Sequence, residues 1–342
     1  MPHASEPAAT SPRHLTDQLD LGPHAEPARR SLNGDHPGEV GTMLPPLVDH
    51  HVHFMIIGSD ALADTALAAA LDLGAPLDLV TALRSRDGLP RVDFAGAFLT
   101  APGGYPVGRP WASEGSAREI DAYEGNGRSS LPGPAETAVS EQQAFGASVI
   151  KVALNSVAGP VLGRQTLDAV VAAAHARGLP VVAHVEGEGM TRLAIDAGVD
   201  ALAHTPFTEQ VDDELIARAV AAGQRWISTL FVTSYGTPAP ERDRALDNLG
   251  RLHDAGGRVL YGTDLGNGDQ PLGVNPAEIA ALAAAGLGAP AVLESIVDPW
   301  PQPSRVEGIS TFVPGPPPAT LDELPAWLAS ACIVPAEELE AL

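Results

Sequence analysis

The sequence predicts an α/β chain folded as a (β/α)8 TIM-like barrel, on three observations. Short apolar runs alternate with helical segments that stop at glycine, eight such runs follow one another from Leu47 onward, and residues able to hold a metal end several of them. Alternating strands and helices call for a parallel sheet, and in a closed barrel the functional groups gather at the C-terminal ends of the strands. A doubly wound open sheet is the alternative, but the first strand-to-helix turn has no Gly-rich phosphate fingerprint.

In order along the chain, residues 1 to 40 are rich in Pro, Ser, Ala, Gly and His and lack apolar periodicity. They are expected to be a disordered tail, dispensable for folding, with His3, His14, His24 and His36 solvated. The barrel is expected over residues 41 to 290, and a Pro-rich extension over 291 to 342. It opens on Leu47-Val48-Asp49-His50-His51-Val52-His53-Phe54. As a strand, this stretch alternates its side chains, so His51 and His53 share a face with Asp49 before them. That is a metal-binding spacing; His50 points away and is expected to be packed or solvated.

A helix is expected over 61–73, stopped by Gly74 and Pro76, then strands over 77–83 and 91–100. The irregular stretch from 101 to about 134 carries Gly103-Gly104-Tyr105, Arg109, Trp111 and Arg118, and its length and content suit a lid over a site. A helix over 135–145 leads into the strand Ser148-Val149-Ile150-Lys151-Val152-Ala153-Leu154. From there the rhythm is regular. Helices over 165–177, 190–196, 212–222 and 241–255 each end at glycine, and each precedes a strand, over 179–185, 199–204, 226–230 and 258–262.

The composition narrows the function. A net charge of -23 repels phosphate backbones and anionic membrane surfaces, so neither nucleic acid nor membrane is an expected partner. Cys332 is the one cysteine, residues 1 to 40 contain no secretory apolar core, and no run of 18 apolar residues occurs, so a soluble, cytoplasmic protein is expected. Hydrophobic residues make up 44% of the chain and aromatics 4%, which suits a core of Ala, Val, Leu and Ile. Lys151 is the only lysine among 20 basic residues, and it stands in an apolar strand. Lysine can lose its proton when buried and react as an amine, whereas arginine stays charged.

His51, His53, Lys151, His184, His204 and Asp264 all fall at strand ends and can converge. Four imidazoles, a carboxylate and a lysine suffice for two divalent ions; zinc, manganese, iron or nickel suit these ligands better than calcium, and zinc is the working expectation. A free ammonium cannot ligate, but a lysine amine that has captured CO2 becomes a carbamate with one oxygen for each metal. Asp49 is a candidate for orienting a ligand histidine or for a structural role. Glu186, Glu188, Tyr235 and Arg118 are weaker candidates for substrate contact, and His175 and His253 fall on helices and read as surface residues.

The combination Leu47-Val48-Asp49-His50-His51-Val52-His53, Ile150-Lys151-Val152, His184, Ala197-Gly198-Val199-Asp200-Ala201-Leu202-Ala203-His204 and Gly262-Thr263-Asp264 resembles the amidohydrolase superfamily, in its imidazolonepropionase-like and prolidase-like branch. The resemblance implies that His51 and His53 hold one metal with Asp264, that His184 and His204 hold the other, and that carboxylated Lys151 bridges them. It implies hydrolysis of an amide, peptide or cyclic amide by a metal-bridged hydroxide with Asp264 as general base. It also implies a small β-sandwich from both ends of the chain, which the polar N-terminal segment and proline-rich C-terminal one suggest is reduced or absent. Gly103-Gly104-Tyr105 stands where relatives often have Gly-Gly-His. Three readings remain open beside the leading one: a mononuclear deaminase, a lactone or ester hydrolase, and a non-catalytic metal-binding barrel. The substrate is expected to be a small molecule, and self-association is left open.

Overall fold

The computed structural model describes residues 19–33, 35–122 and 133–342. Strands β1 (Glu26–Arg30) and β2 (Val40–Leu44) precede the histidine strand β3 (Leu47–Val52) and a single helical turn, α1 (Phe54–Ile57). Then come β4 (Leu67–Asp72), α2 (Leu77–Arg84), β5 (Arg91–Phe94), β6 (Phe98–Thr100) and β7 (Ala117–Glu119). The regular half runs α3 (Pro134–Ala144), β8 (Ile150–Asn155), α4 (Arg164–His175), β9 (Val181–Glu186), α5 (Met190–Asp196), β10 (Ala201–Leu202) and α6 (Asp213–Ala221). It continues through β11 (Arg225–Ile227), α7 (Pro240–Asp254), β12 (Arg258–Leu260), α8 (Pro276–Ala284) and α9 (Ala289–Val297). The chain closes with β13 (Ile309–Pro314), α10 (Leu324–Ala329), β14 (Cys332–Pro335) and β15 (Leu339–Ala341).

The result is a mixed α/β fold with parallel sheets. One sheet has the order β3-β4-β5 and a second the order β12-β11-β10-β9-β8-β6-β7, parallel throughout. Backbone bonds link the two: Ser148 N donates to Phe94 O at 2.8 Å on one side, and His50 N to Tyr261 O at 3.0 Å and Leu265 N to His51 O at 3.2 Å on the other. Close approach at the second junction needs Gly262, since a Cβ there would meet Ile227 Cγ2 at 2.4 Å and His51 Cβ at 3.2 Å. Strands β3, β4 and β8 are buried at every residue, as strands covered by helices should be.

Two expected elements exchange type. Residues 67–72 form a strand where a helix is expected, and 77–84 a helix where a strand is expected. Leu67-Ala68-Ala69-Ala70-Leu71-Asp72 is buried on both faces, so its composition carries no period, and Ala-rich helix propensity yields to tertiary burial. In α2 the buried residues Val80 and Leu83 are three apart, with Asp78 in the first turn and Arg84 in the last, a helical pattern that the short apolar run conceals.

The tail and appendage also need correction. Residues 19–33 are described, and β1 and β2 build an antiparallel five-stranded sheet in the order β14-β13-β2-β1-β15. The sheet expected as reduced or absent is therefore present, made from both ends of the chain, and the expected disorder fails for residues 26 to 30. Ala28 is fully buried, and Arg29 pairs with Glu340 across 311 positions. A chain start that holds itself together through partners so distant shows no local periodicity. His3 and His14 lie outside the described residues. The expected boundary at 290 falls inside α9. No helix among the described residues is long and apolar enough to cross a membrane.

Candidate metal centre

Strands and the turns that follow them bring His51, His53, Lys151, His184, His204 and Asp264 around one cavity of about 160 Å³, so all six residues expected from the sequence meet, although Lys151 is the second residue of β8 and not at its C-terminal end. His51 lies on β3, Lys151 on β8 and His184 on β9; His53, His204 and Asp264 follow β3, β10 and β12. All six are buried. His51, His204 and Asp264 offer ligand atoms within 4.8 Å of one another.

The backbone decides which ring nitrogens face the cavity. Nδ1 of His51 lies 2.8 Å from Ala203 O, and Nδ1 of His53 lies 3.2 Å from Gly74 O. A carbonyl only accepts, so each Nδ1 carries the proton and each Nε2 keeps a lone pair. Those two Nε2 atoms stand 3.3 Å apart, and both face Oδ1 of Asp264, at 3.3 and 3.2 Å. Gly74 can approach in this way because it has no Cβ, which would strike the Phe98 ring at 2.0 Å. On the other side, Nε2 of His184 lies 3.2 Å from Oε2 of Glu186 and 3.3 Å from Nδ2 of Asn155. The Thr229 hydroxyl holds Nδ1 of His204 at 2.9 Å.

Burial pushes the imidazoles of His51 and His204 well below the usual histidine range, with the Lys151 charge adding to the effect, and burial also lowers His184. These rings are neutral, as ligands must be. Burial works to raise the Asp264 carboxyl, but positive charge facing it, where the rings of His51, His53 and His204 carry a proton, outweighs burial and holds the group well below its ordinary value. Burial lowers Lys151 to about 7, against the opposing pull of Asp264 and Asp72. Its Nζ has no hydrogen-bond partner among the described residues and sits 5.6 Å from the centre of the Phe98 ring.

These observations bear on whether a cation fits. Three lone pairs directed at one point in a buried site repel one another unless a positive charge lies between them, and imidazole with carboxylate is a suitable donor set for a divalent transition metal. The orphaned Lys151 Nζ is a buried polar atom that a further group would have to satisfy. The residues present therefore fit a metal-holding site.

Other expected residues fall into place around it. Oδ1 of Asp49 accepts from the backbone N of His51 at 3.0 Å and of Thr263 at 3.1 Å, and Oδ2 accepts from the Thr263 hydroxyl at 2.6 Å. It thus ties the two ligand-bearing strand ends together through their backbone rather than through an imidazole. His50 is packed, bonded to Tyr261 O and Asp298 O. Glu186 lines the cavity, whereas Glu188 is exposed. His175 pairs on the surface with Asp200, and His253 lies half-buried on α7. Arg118 pairs with Glu141 away from the cavity, and Tyr235 lies outside its lining. From the expected lid, Tyr105 stacks on His184 at 5.0 Å, and Trp111 packs on Tyr105 at 5.8 Å and His53 at 6.4 Å. Residues 123–132 of that stretch lie outside the described residues.

Four polar residues were not anticipated. Asp72 accepts from Phe54 N at 2.7 Å and Gly74 N at 2.9 Å, and so fixes the turn after His53. Asn155 donates to Glu186 at 2.5 Å. The alternation that turns Lys151 inward does the same for Asn155 four residues on, a signal the sequence did contain. Thr229, at φ +42°, and Asn267 sit in loops whose geometry no periodicity announces.

No protein-family model matches the chain. An uncharacterized protein of Mycobacterium tuberculosis is 29% identical over 261 residues, which cover 66% of this chain and 65% of that protein; a Mycobacterium bovis protein matches equally. The match thus spans slightly less than two thirds of these relatives' length. Among solved structures, a Xaa-Pro dipeptidase with bound methionine in its active site is similar at a TM-score of 0.63, with 18% identity over 88% of this chain and 87% of that one. A structure described as an amidohydrolase gives a TM-score of 0.64, with 20% identity over 87% and 86%. Aspergillus niger ochratoxinase gives 0.59, with 20% identity over 74% and 70%. At these identities the likeness is one of fold.

Proposed function

We propose that this chain, built on the fold of the amidohydrolase superfamily, is a metal-dependent hydrolase of amide or peptide bonds. The observation that carries the reading is the meeting of Nε2 of His51, Nε2 of His53 and Oδ1 of Asp264 within 3.3 Å, while the remaining ring nitrogens are committed to carbonyls. The dipeptidase and the amidohydrolase among its structural neighbours favour carbon–nitrogen bonds. In this reading the eight strands β3, β4, β5, β8, β9, β10, β11 and β12 amount to a closed barrel, which the backbone bonds at both junctions support.

His51, His53 and Asp264 would hold one divalent ion, His184 and His204 a second, and Lys151, carboxylated, would stand between them, with zinc the working identity. Such a pair, when bound, lowers the pKa of water towards about 7 and polarises a substrate carbonyl. Carboxylation joins the Lys151 nitrogen to the carbon of CO2 and releases one proton. It needs the free amine, and burial makes that form accessible near neutrality. Asp264 takes the proton lost by the attacking water and gives it to the leaving nitrogen as the C–N bond breaks, a task worth about 10²- to 10⁴-fold. Tyr105 and Trp111 close the site from the lid side and exclude bulk water.

The deciding experiment is metal content per purified chain together with hydrolysis of a panel of Xaa-Pro and other dipeptides, N-acyl amino acids, cyclic amides, lactones and amino-heterocycles. Two metals per chain with release of amine from an amide is the expected result. One metal with ammonia release would replace this reading by the deaminase, lactone cleavage alone by the ester hydrolase, and metal without turnover by the non-catalytic barrel.

A further inference from the structure

The second oxygen of Asp264 is held by two side chains in series. Tyr235 Oη donates to Oδ1 of Asn267 at 2.8 Å, and Nδ2 of Asn267 donates to Oδ2 of Asp264 at 3.0 Å. The partners fix the direction of the amide. A carboxylate only accepts, so the NH2 end must face Asp264, and the amide oxygen is left for the phenol hydroxyl.

The two residues come from different loops, one after β11 and one after β12, and both loops are constrained around them. Tyr235 and Asp264 have φ of +50° and +55°, a region where a non-glycine residue persists only when its surroundings demand it. The Tyr235 ring rests against Gly268, where a Cβ would lie 2.3 Å from the ring. The Gln270 amide bonds to the carbonyls of Thr263, Asp264 and Asn267 at 3.1, 3.2 and 3.1 Å, and Asn267 N donates to Asp264 O at 3.0 Å. Tyr235 is 47% exposed and is not part of the cavity lining, so its hydroxyl reaches the site only through Asn267.

We infer that Asn267 and Tyr235 are positioning residues that lock the rotamer of Asp264, keeping Oδ1 on the His51 and His53 nitrogens. This rests on the hydrolase reading above. Without Asn267 the carboxylate is free to rotate; without the Tyr235 hydroxyl the amide is free to flip and to turn its oxygen against the carboxylate, where it repels.

The test uses the full chain loaded with Co2+ as wild type, Asn267→Ala, Tyr235→Phe and the double variant. Each is followed by its visible cobalt absorption, its melting temperature, and kcat and KM on the dipeptide that the wild type cleaves fastest. Asn267→Ala should alter the cobalt spectrum and lower kcat about tenfold or more with KM nearly unchanged, the signature of a group that acts in the transition state. Tyr235→Phe should move both in the same direction by less, and the double variant should be no worse than Asn267→Ala, because coupled residues are not additive. An unchanged spectrum in Asn267→Ala, additive losses in the double variant, or a raised KM at constant kcat in Tyr235→Phe would overturn the inference. Tyr235→Phe removes one exposed hydroxyl, so its result stands even if Asn267→Ala misfolds. A wild type that takes up no cobalt defeats the hydrolase reading itself; uptake with indifferent variants defeats only the arm.

Discussion

On one side of the cavity, His51, His53 and Asp264 have their remaining polar atoms committed: ring nitrogens to carbonyls, the second carboxylate oxygen to Asn267. On the other, Lys151 is equally buried, and its Nζ has no hydrogen-bond partner among the described residues. An unmet buried donor costs about 1 to 3 kcal/mol, more when charged. The first side is organised by the chain alone, with ligand atoms already at coordinating separations. The second keeps a buried amine that the described residues leave unsatisfied. The chain uses arginine at its 19 other basic positions and keeps its single lysine at this buried place.

The sharpest way to break that comparison is Lys151→Ala. If the lysine supplies the oxygens between two metals, the variant loses most of its metal and activity falls by orders of magnitude, with partial return when a short carboxylic acid is supplied to fill the vacated space. Two metals and full turnover in the variant would show that the lysine is an ordinary buried residue. Next in size is Asp264→Asn, which keeps one oxygen for the histidine side but removes the base. Turnover should fall about 10²- to 10⁴-fold, part of the metal should remain, and the acidic limb of the pH profile should change. Near wild-type turnover with metal bound would remove Asp264 from the proton path and make Glu186 the next carboxylate to test.

A smaller effect belongs to Thr229→Val. The hydroxyl anchors the His204 ring, and losing such an outer contact commonly costs about 10- to 100-fold in metal affinity. Competition with a chelator measures it, with His204 predicted to loosen one ion and leave the ion at His51 and His53 in place. Equal loss of both ions would mean that the two sides are not held independently.

These candidate residues were legible because strands impose a period of two and the turns that follow parallel strands gather functional groups. His51 with His53 and the lone Lys151 needed nothing beyond that alternation. The regular half from α3 to β12 was legible for a related reason: each helix shows an amphipathic face and stops at glycine. The region from 61 to 84 was not, because a strand buried on both faces and a short helix both present as unbroken apolar runs. In the five-stranded sheet β1 and β2 were not legible because their pairings with β15 and β13 join residues distant in sequence. Asn267 and Thr229 owe their roles to loop backbones at positive φ or to neighbours in space, neither of which leaves a pattern in sequence.

The smallest predicted effect isolates Lys151 without any metal. Its pKa falls from 10.5 to about 7 on folding, chiefly through burial, so the folded chain binds fewer protons than the unfolded chain between those values. By linkage, the cost of burying the charge is fully present below pH about 7 and disappears as pH rises towards 10.5. Lys151→Met keeps most of the volume and removes the charge. In chelator-treated protein and CO2-free buffer it should therefore raise the melting temperature at pH 6 by a few degrees, with a gain of about 1 to 2 °C expected for each kcal/mol in a chain of this size. The gain should shrink at pH 9.5. Asp49 and Glu278, whose buried carboxyls are raised to about 7, lose stability as pH climbs from about 4 to 7, but they do so in both proteins and cancel in the difference. A variant less stable than wild type at pH 6, or a gain equal at both pH values, would show that Lys151 meets an acceptor in the metal-free chain, and the contrast between the two sides of the cavity would fall with it.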